Sequence, residues 1–412
     1  MKYGCIGERL GHSFSKEIHN KIADYPYELF EVARDELDAF ATKRDFIAIN
    51  VTIPYKELIM PHLYYIDEHA KLIGAVNTVV NRDGRLYGYN TDFFGMSALL
   101  AHAGISVKGK KVAILGSGGT SKTSFAVCRA LGARETVKVS RTASDDAIDY
   151  KALTSEHTDI EIIINTTPVG MFPNNEGVPV DLSVFPRLSG VVDAVYNPLR
   201  TKLIREAKRR GIPAEGGLYM LVAQAVRASE IFLDKKYDDA LIERVYSDIV
   251  REKENIVLIG MPASGKSTVG KLLASLTSRP FVDTDEVIAS EEGSKVPEIF
   301  AEHGEGYFRE KEAEVAMRFS EKNGQILATG GGIVLNPDNV DRLSQNGRIF
   351  FIDRPLADLV PTSDRPLSST KEAIEARYKE RYPLYVSAAD KIIDASADAL
   401  TVANTVLGEF EK

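Results

Sequence analysis

Two cysteines and no tryptophan in 412 residues, no apolar run of membrane-spanning length and no surplus of positive charge close off several classes of protein at once. Cys5 and Cys128 are too few and too far apart for a disulfide framework or a cysteine-held metal, which fits a reducing compartment, and both read plainly as small core residues. Met1-Lys2-Tyr3-Gly4 leads into a short fold element rather than a signal peptide, so the cytoplasm is the expected location and no membrane is expected as a partner. Lys and Arg number 51 against 59 Asp and Glu, a net charge of −8. From Arg251 onward the counts are 20 and 27, a net of −7 that leaves −1 for residues 1–250. Neither half is built for nucleic acid, and an acidic chain that binds anionic metabolites must gather its cations locally in a cleft.

What the chain has in quantity is apolar residue, 44% of the total. At roughly one domain per 150 residues that supports two or three cores. In mid-chain, Gly260-Met261-Pro262-Ala263-Ser264-Gly265-Lys266-Ser267 forms a complete Gly-x4-Gly-Lys-Ser loop after the apolar run Ile256–Ile259 and before a helix-like stretch from Thr268. Strand, loop and helix in that order mark a nucleotide phosphate site rather than a glycine-rich turn: backbone N–H groups curl around phosphate, Lys266 reaches the β and γ phosphates, and Ser267 offers oxygen to Mg²⁺. About 250 residues precede this loop and need another explanation.

Residues 1–100 alternate short apolar runs with helical segments, the pattern of an α/β substrate domain. Val112–Leu115 reads as a buried strand, followed by Gly116-Ser117-Gly118-Gly119-Thr120-Ser121 on a strand-to-helix turn. This is close to a dinucleotide fingerprint, with Ser121 in place of the third glycine. A second strand ends in Ser140-Arg141-Thr142, with a cation where NAD-specific sites carry an acid, so Arg141 favours NADP; the alternative is an exposed surface arginine. From Pro198 to Val250 the pattern is mostly helical, and a short charged linker, Arg251 to Asn255, leads into the next strand.

Six stretches in order carry a resemblance over the first half: Gly11-His12-Ser13-Phe14-Ser15, Asn50–Glu57, Gly74–Thr78, Gly88–Asp92, Asn165–Pro168 and Leu221–Ala225. Together they resemble shikimate dehydrogenase. The resemblance implies NADPH-dependent reduction of 3-dehydroshikimate, with Lys56 and Asp92 as the catalytic pair. It implies Ser13 and Ser15 on the substrate carboxylate, and Thr52, Asn77, Tyr196 and Gln224 on the ring and its hydroxyls. Gly116 to Thr120, Ser140 to Thr142, Ala194 and Gly217 would hold the cofactor. Taken singly, Lys56 and Asp92 read equally as an ordinary salt bridge and Ser13 as a helix cap. One departure is Gly217-Leu218-Tyr219-Met220-Leu221, where the family commonly has Gly-x-Gly-Met-Leu, so Tyr219 is expected to put bulk beside the nicotinamide.

From about residue 252 the chain resembles shikimate kinase, through the phosphate loop, Phe281–Asp285, Gly304–Glu312, Gly330-Gly331-Gly332, Arg365-Pro366-Leu367 and Arg381–Tyr385. That implies ATP as co-substrate, Asp285 orienting the attacking hydroxyl, and Arg309, Arg381 and Gly331 holding shikimate. It also implies Ala263 to Thr268 around the nucleotide phosphates, Lys266 catalytic, Ser267 and Asp283 serving Mg²⁺, and Arg365 closing from a lid. Taken singly these read as a capping aspartate, solvated arginines and a tight turn. The segment from Ile352 to Arg365 is shorter than is usual for the family, with Val360-Pro361-Thr362 near the place of an adenine-side arginine. The expected fold is α/β throughout: a substrate domain over 1–100, a Rossmann NADP domain with C-terminal helices over 101–250, and a P-loop kinase domain with a parallel sheet over 252–412. Two rival readings are a non-catalytic kinase-like binding module and quinate as the first substrate.

Overall fold

Runs of four or five consecutive apolar residues are buried most readily as central strands covered on both faces of a sheet. Val112–Leu115 and Ile256–Ile259 are placed so, each residue at most 1% exposed. The structure, a computed structural model, describes residues 2–10, 14–238, 240–360 and 370–412. The chain divides into two compact units, Met1–Ile249 and Val250–Lys412.

The first unit holds two six-stranded sheets. Strands β1 (Tyr3–Gly7), β2 (Tyr27–Glu31), β3 (Ala48–Val51), β4 (Tyr65–Ile66), β5 (Thr78–Arg82) and β6 (Arg85–Tyr89) lie in the order β2-β1-β3-β5-β6-β4. This sheet is mixed, because the Asp83-Gly84 turn, with both residues at positive φ, joins β5 to β6 as an antiparallel hairpin. Strands β7 (Lys111–Leu115), β8 (Glu135–Ser140), β9 (Ile148–Asp149), β10 (Ile162–Asn165), β11 (Gly190–Asp193) and β12 (Ala214–Glu215) form an all-parallel sheet in the order β12-β11-β10-β7-β8-β9. Cys5 and Cys128 are buried and unpaired, and burial pushes both thiols up to about 12, which leaves them inert.

The second unit has one parallel sheet of β13 (Asn255–Ile259), β14 (Phe281–Asp283), β15 (Ile326–Ala328), β16 (Gly347–Asp353) and β17 (Lys391–Asp394), ordered β14-β15-β13-β16-β17. The strand carrying the phosphate loop is thus central.

The stretch expected as a charged linker is helical. The helix Ala240–Lys253 runs through it and leaves only Glu254 before β13. Its buried stripe, Leu241, Val245 and Ile249, recurs every four residues, and Arg251 and Lys253 in the last turn complement the helix dipole. The division between the units falls inside this helix. Among the described residues no helix is long and apolar enough to cross a membrane.

Candidate active sites

The turn after β7 must reverse direction sharply, and Gly116 does so at φ +116, where a Cβ would stand 2.6 Å from Thr166 Oγ1. Ser121, where a third glycine was expected, is fully buried and donates its hydroxyl to Gly116 O at 2.7 Å, tying the helix back to the turn. The helix Gly119–Ala130 has Gly118 at its N-cap with no side-chain cap, and a Cβ on Gly118 or Gly119 would meet nothing within 4 Å. Uncapped N–H groups facing open space suit a pyrophosphate, so the residues present fit a dinucleotide. Gly116 N donates to Val139 O at 2.8 Å, so β8 ends at Ser140, with Arg141 next, at the level of the glycine turn; Arg141 and Thr142 are exposed.

One cleft brings together Thr52, Lys56, Asp92, Gly119, Thr120, Ala194, Tyr196, Gly217 and Gln224, with Ile53, Met220 and Leu221 beside them. Lys56 comes from the short helix Tyr55–Leu58, its backbone carbonyl held by Val76 N at 2.8 Å. Its ammonium donates to Asp92 Oδ2 at 2.5 Å, with the two side chains 19% and 11% exposed. Asp92 opens the helix Asp92–His102, so its carboxylate stands at the helix N-terminus. Asn77 lies deeper, donating to Thr91 Oγ1 at 3.1 Å and accepting from Thr91 N at 2.8 Å, while Thr91 Oγ1 reaches Gln224 Oε1 at 3.3 Å. Thr91, which sequence reasoning gave no role, therefore links two predicted ring-binding residues. Ser15 begins the helix Ser15–Ile22, and Phe14 packs on the Tyr196 ring at 5.3 Å. Ser13 lies outside the described residues.

Asp193 was also missed. It is fully buried at the end of β11 and accepts from Asn165 Nδ2 (2.9 Å), Val195 N (3.0 Å) and Thr201 Oγ1 (2.7 Å), so it fixes the backbone on either side of Ala194. Burial pushes its carboxyl up to about 7, against the pull of these three donors. The expectation for Tyr219 is overturned. Its ring stacks on His102 at 3.8 Å and meets Tyr246 at 5.1 Å, away from the described residues lining the cleft. Gly217, Met220 and Leu221 face the cleft instead, because residues along a helix turn by about 100° each.

In the second unit the phosphate loop closes on Gly265, at φ +94, which caps the helix Lys266–Thr277 without a side-chain bond. Lys266 is 8% exposed and donates to Gly260 O and Met261 O, each at 2.9 Å, so its ammonium lies within the loop's own curl. Ala263, Ser264 and Thr268 belong to the same loop and first helical turn, and Ser264 is buried. Ser267 Oγ donates to Asp283 Oδ2 at 2.5 Å, while Asp283 Oδ1 accepts from Asp285 N at 3.0 Å and Glu286 N at 3.4 Å. Among the described residues no group of three His, Cys, Asp or Glu could hold a metal. A phosphate-loop Mg²⁺ needs few protein ligands because phosphate and water supply the rest, so Ser267 backed by Asp283 fits it.

The three glycines after β15 are demanded by what lies against them. A Cβ on Gly330 would stand 2.5 Å from Asp285 Oδ1 and 2.6 Å from Glu312 Oε1. On Gly331 it would be 2.7 Å from Pro262, and on Gly332 it would be 2.0 Å from Arg309 Nη1. Gly331 O accepts from Arg381 Nη1 at 2.9 Å and from the Tyr385 hydroxyl. One pocket collects Lys266, Ser267, Asp283, Asp285, Arg309, Gly331 and Arg381, walled by Val296, Phe300 and Phe308. Glu312, to which the sequence assigned no site role although it ends the Gly304–Glu312 stretch, is 1% exposed and accepts from Arg309 Nη1 at 2.8 Å. Burial pushes its carboxyl up to about 7, Arg309 pulling the other way. The Arg309-x-x-Glu312 spacing was the signal that could have found it. Arg365, Pro361 and Thr362 lie outside the described residues.

Two family profiles match the chain: "Shikimate dehydrogenase substrate binding domain" at residues 5–79 and "Shikimate kinase" at residues 262–411. The NADP⁺ shikimate dehydrogenase of Clostridium perfringens (strain 13 / Type A) is 39% identical over 264 residues, covering 60% of this chain and 97% of that protein. That of Caldicellulosiruptor bescii is 37% identical over 260 residues, covering 57% and 89%. Among solved structures, shikimate dehydrogenase 1 from Peptoclostridium difficile is 36% identical with a TM-score of 0.56, covering 60% of this chain and 98% of that one. A chorismate mutase/shikimate 5-dehydrogenase fusion protein from Clostridium acetobutylicum is 35% identical with a TM-score of 0.57, covering 60% and 96%. The chain therefore belongs to the shikimate dehydrogenase family and carries, fused behind that part, a shikimate kinase domain at residues 262–411.

Proposed function

We propose that this chain catalyses two consecutive steps in the cytoplasm, NADPH-dependent reduction of 3-dehydroshikimate to shikimate and ATP-dependent phosphorylation of shikimate on its 3-hydroxyl. The observation that carries it is that each of two clefts gathers the charged groups its reaction needs. The domain limits proposed for these activities are 1–100, 101–250 and 252–412.

In the first cleft NADPH supplies the hydride. Negative charge grows on the carbonyl oxygen, which Lys56 stabilises and protonates; Asp92 orients the ammonium from 2.5 Å. Thr52, Tyr196, Gln224 and Asn77 hold the ring, with Ser13 and Ser15 on the carboxylate. Arg141 pairs with the 2′-phosphate.

In the second, ATP with Mg²⁺ supplies the phosphoryl group. Lys266 neutralises its charge, Asp285 orients the hydroxyl, and Arg309 and Arg381 clamp the carboxylate beside Gly331. The test is purified protein supplied with 3-dehydroshikimate, NADPH, ATP and Mg²⁺, with both products followed. Shikimate 3-phosphate is expected. Shikimate accumulating alone supports the binding-module reading, and reverse turnover of quinate supports quinate as the first substrate.

A further inference from the structure

We infer that the helix Ala240–Lys253 clamps the turn that seats the nicotinamide end of the reductase cofactor, with Tyr246 and Tyr219 as positioning residues. This rests on the function proposed for the first cleft.

The turn in question is Glu215-Gly216-Gly217, running from the last residue of β12 to the helix Leu218–Leu233. It has no slack: a Cβ on Gly217 would stand 2.2 Å from Ala194 O, and one on Gly216 2.9 Å from Leu199 O. Both Ala194 and Gly217 line the cleft. On the N-terminal side, Glu215 Oε1 accepts from Gly216 N at 3.1 Å and from the Tyr246 hydroxyl at 3.4 Å. On the C-terminal side the Tyr219 ring lies flat on His102, at 3.8 Å and 15°, and Tyr246 meets both rings edge-on at 5.1 and 5.3 Å. Glu243, one helical turn before Tyr246, reaches His102 Nδ1 at 3.6 Å. One turn of one helix thus grips both flanks of the same three residues.

The consequence for the cleft follows from helical geometry. Tyr219 held on the outer face sets the rotation of its helix about the axis, and that rotation aims Met220, Leu221 and Gln224 into the cleft. Loss of the rings frees the turn to shift by fractions of an ångström against Ala194, which acts on cofactor seating ahead of the chemical step.

The test uses the full chain with Tyr246→Ala and Tyr246→Phe. Initial rates are taken with NADPH varied, and phosphorylation of added shikimate is measured on the same preparations as a check on folding. Two aromatic contacts, each counted at the low end of its usual worth as a factor of about two to three, translate to a rise of about five- to tenfold in the KM for NADPH in Tyr246→Ala. The turnover number should stay within about twofold, and Tyr246→Phe, which keeps the ring contacts and loses only the 3.4 Å bond to Glu215, should raise that KM by no more than about threefold. Should Tyr246→Ala fail to fold, Tyr219→Leu keeps the bulk, loses the stack and is expected to show the same rise. An unchanged KM for NADPH in a folded variant overturns the clamp, as does a fall in turnover number alone. If the unsubstituted chain shows no reductase turnover, the proposed function fails on its own. The clamp is then judged from NADPH affinity by fluorescence titration, on the same fold-change and the same null.

Discussion

Gly332→Ala is expected to separate the proposed shikimate clamp from everything else in the kinase site. Gly332 has φ −105, a conformation any residue adopts, so the backbone admits the methyl group without strain. The obstacle is Arg309, whose Nη1, Cζ and Nη2 would stand 2.0, 2.2 and 2.3 Å from the new Cβ. Relief to an ordinary contact of about 3.5 Å moves the guanidinium by roughly 1.5 Å. A long side chain yields more readily than the backbone, so the displacement falls on Arg309. Its bond to Glu312 at 2.8 Å is then lost. Glu312 is 1% exposed, and without the cation it takes up a proton at neutral pH rather than remain a buried lone charge, which limits the cost to stability. A charge-assisted contact to a carboxylate is worth about 1.5–3 kcal/mol, so the KM for shikimate should rise about ten- to hundredfold. The KM for ATP and reductase turnover should stay within about twofold, since Lys266, Ser267 and the first cleft are untouched. The assay is coupled ADP release with shikimate and ATP varied in turn. A shikimate KM within about threefold of the unsubstituted value, or an equal rise for ATP, refutes the reasoning that Arg309 alone yields.

Lys56→Ala should lower reductase turnover by about 10²- to 10⁴-fold while leaving phosphorylation of added shikimate intact, and an equal loss of both activities would contradict it. Arg141→Ala should weaken the preference for NADPH over NADH about five- to tenfold, since an exposed charge-assisted contact is lost; an unchanged ratio removes Arg141 from the site. Asp285→Asn should spare MgATP binding by titration yet cut turnover at least about tenfold, because it alters the acceptor side alone. Glu312→Gln tests linkage: the folded-state carboxyl is raised from 4.5 to about 7, so the ionised form is disfavoured in the fold and stability falls as pH rises between those values. That loss, on the order of 3 kcal/mol over the whole window, should vanish in the variant when unfolding of the kinase unit is followed from pH 4.5 to 8, and a retained loss assigns it to another group.

The phosphate loop was legible because its geometry closes within eight residues: Gly260, Gly265, Lys266 and Ser267 meet through local backbone conformation. The same holds for the glycine turn after β7. The stretch expected as a linker is helical up to Lys253, although Arg251, Glu252 and Lys253 have the composition of a solvated tract. The stripe Leu241, Val245 and Ile249 extends the helix through them by burial, which charge counting cannot see.

Sequence by itself determined the two local phosphate-binding turns, the apolar runs that become central strands, and through the ordered motifs the two families. Only the tertiary structure decided which way side chains at one helical address point. Tyr219 and Leu221 are two residues apart, yet one packs on His102 and the other lines the cleft. It also decided which distant carboxylates share a space: Asp285 and Glu312 converge on Gly330, and Asp193 holds both flanks of Ala194. Burial sets the protonation of Glu312 and Asp193, and burial arises from contacts between segments far apart in the chain, which no short window of sequence encodes.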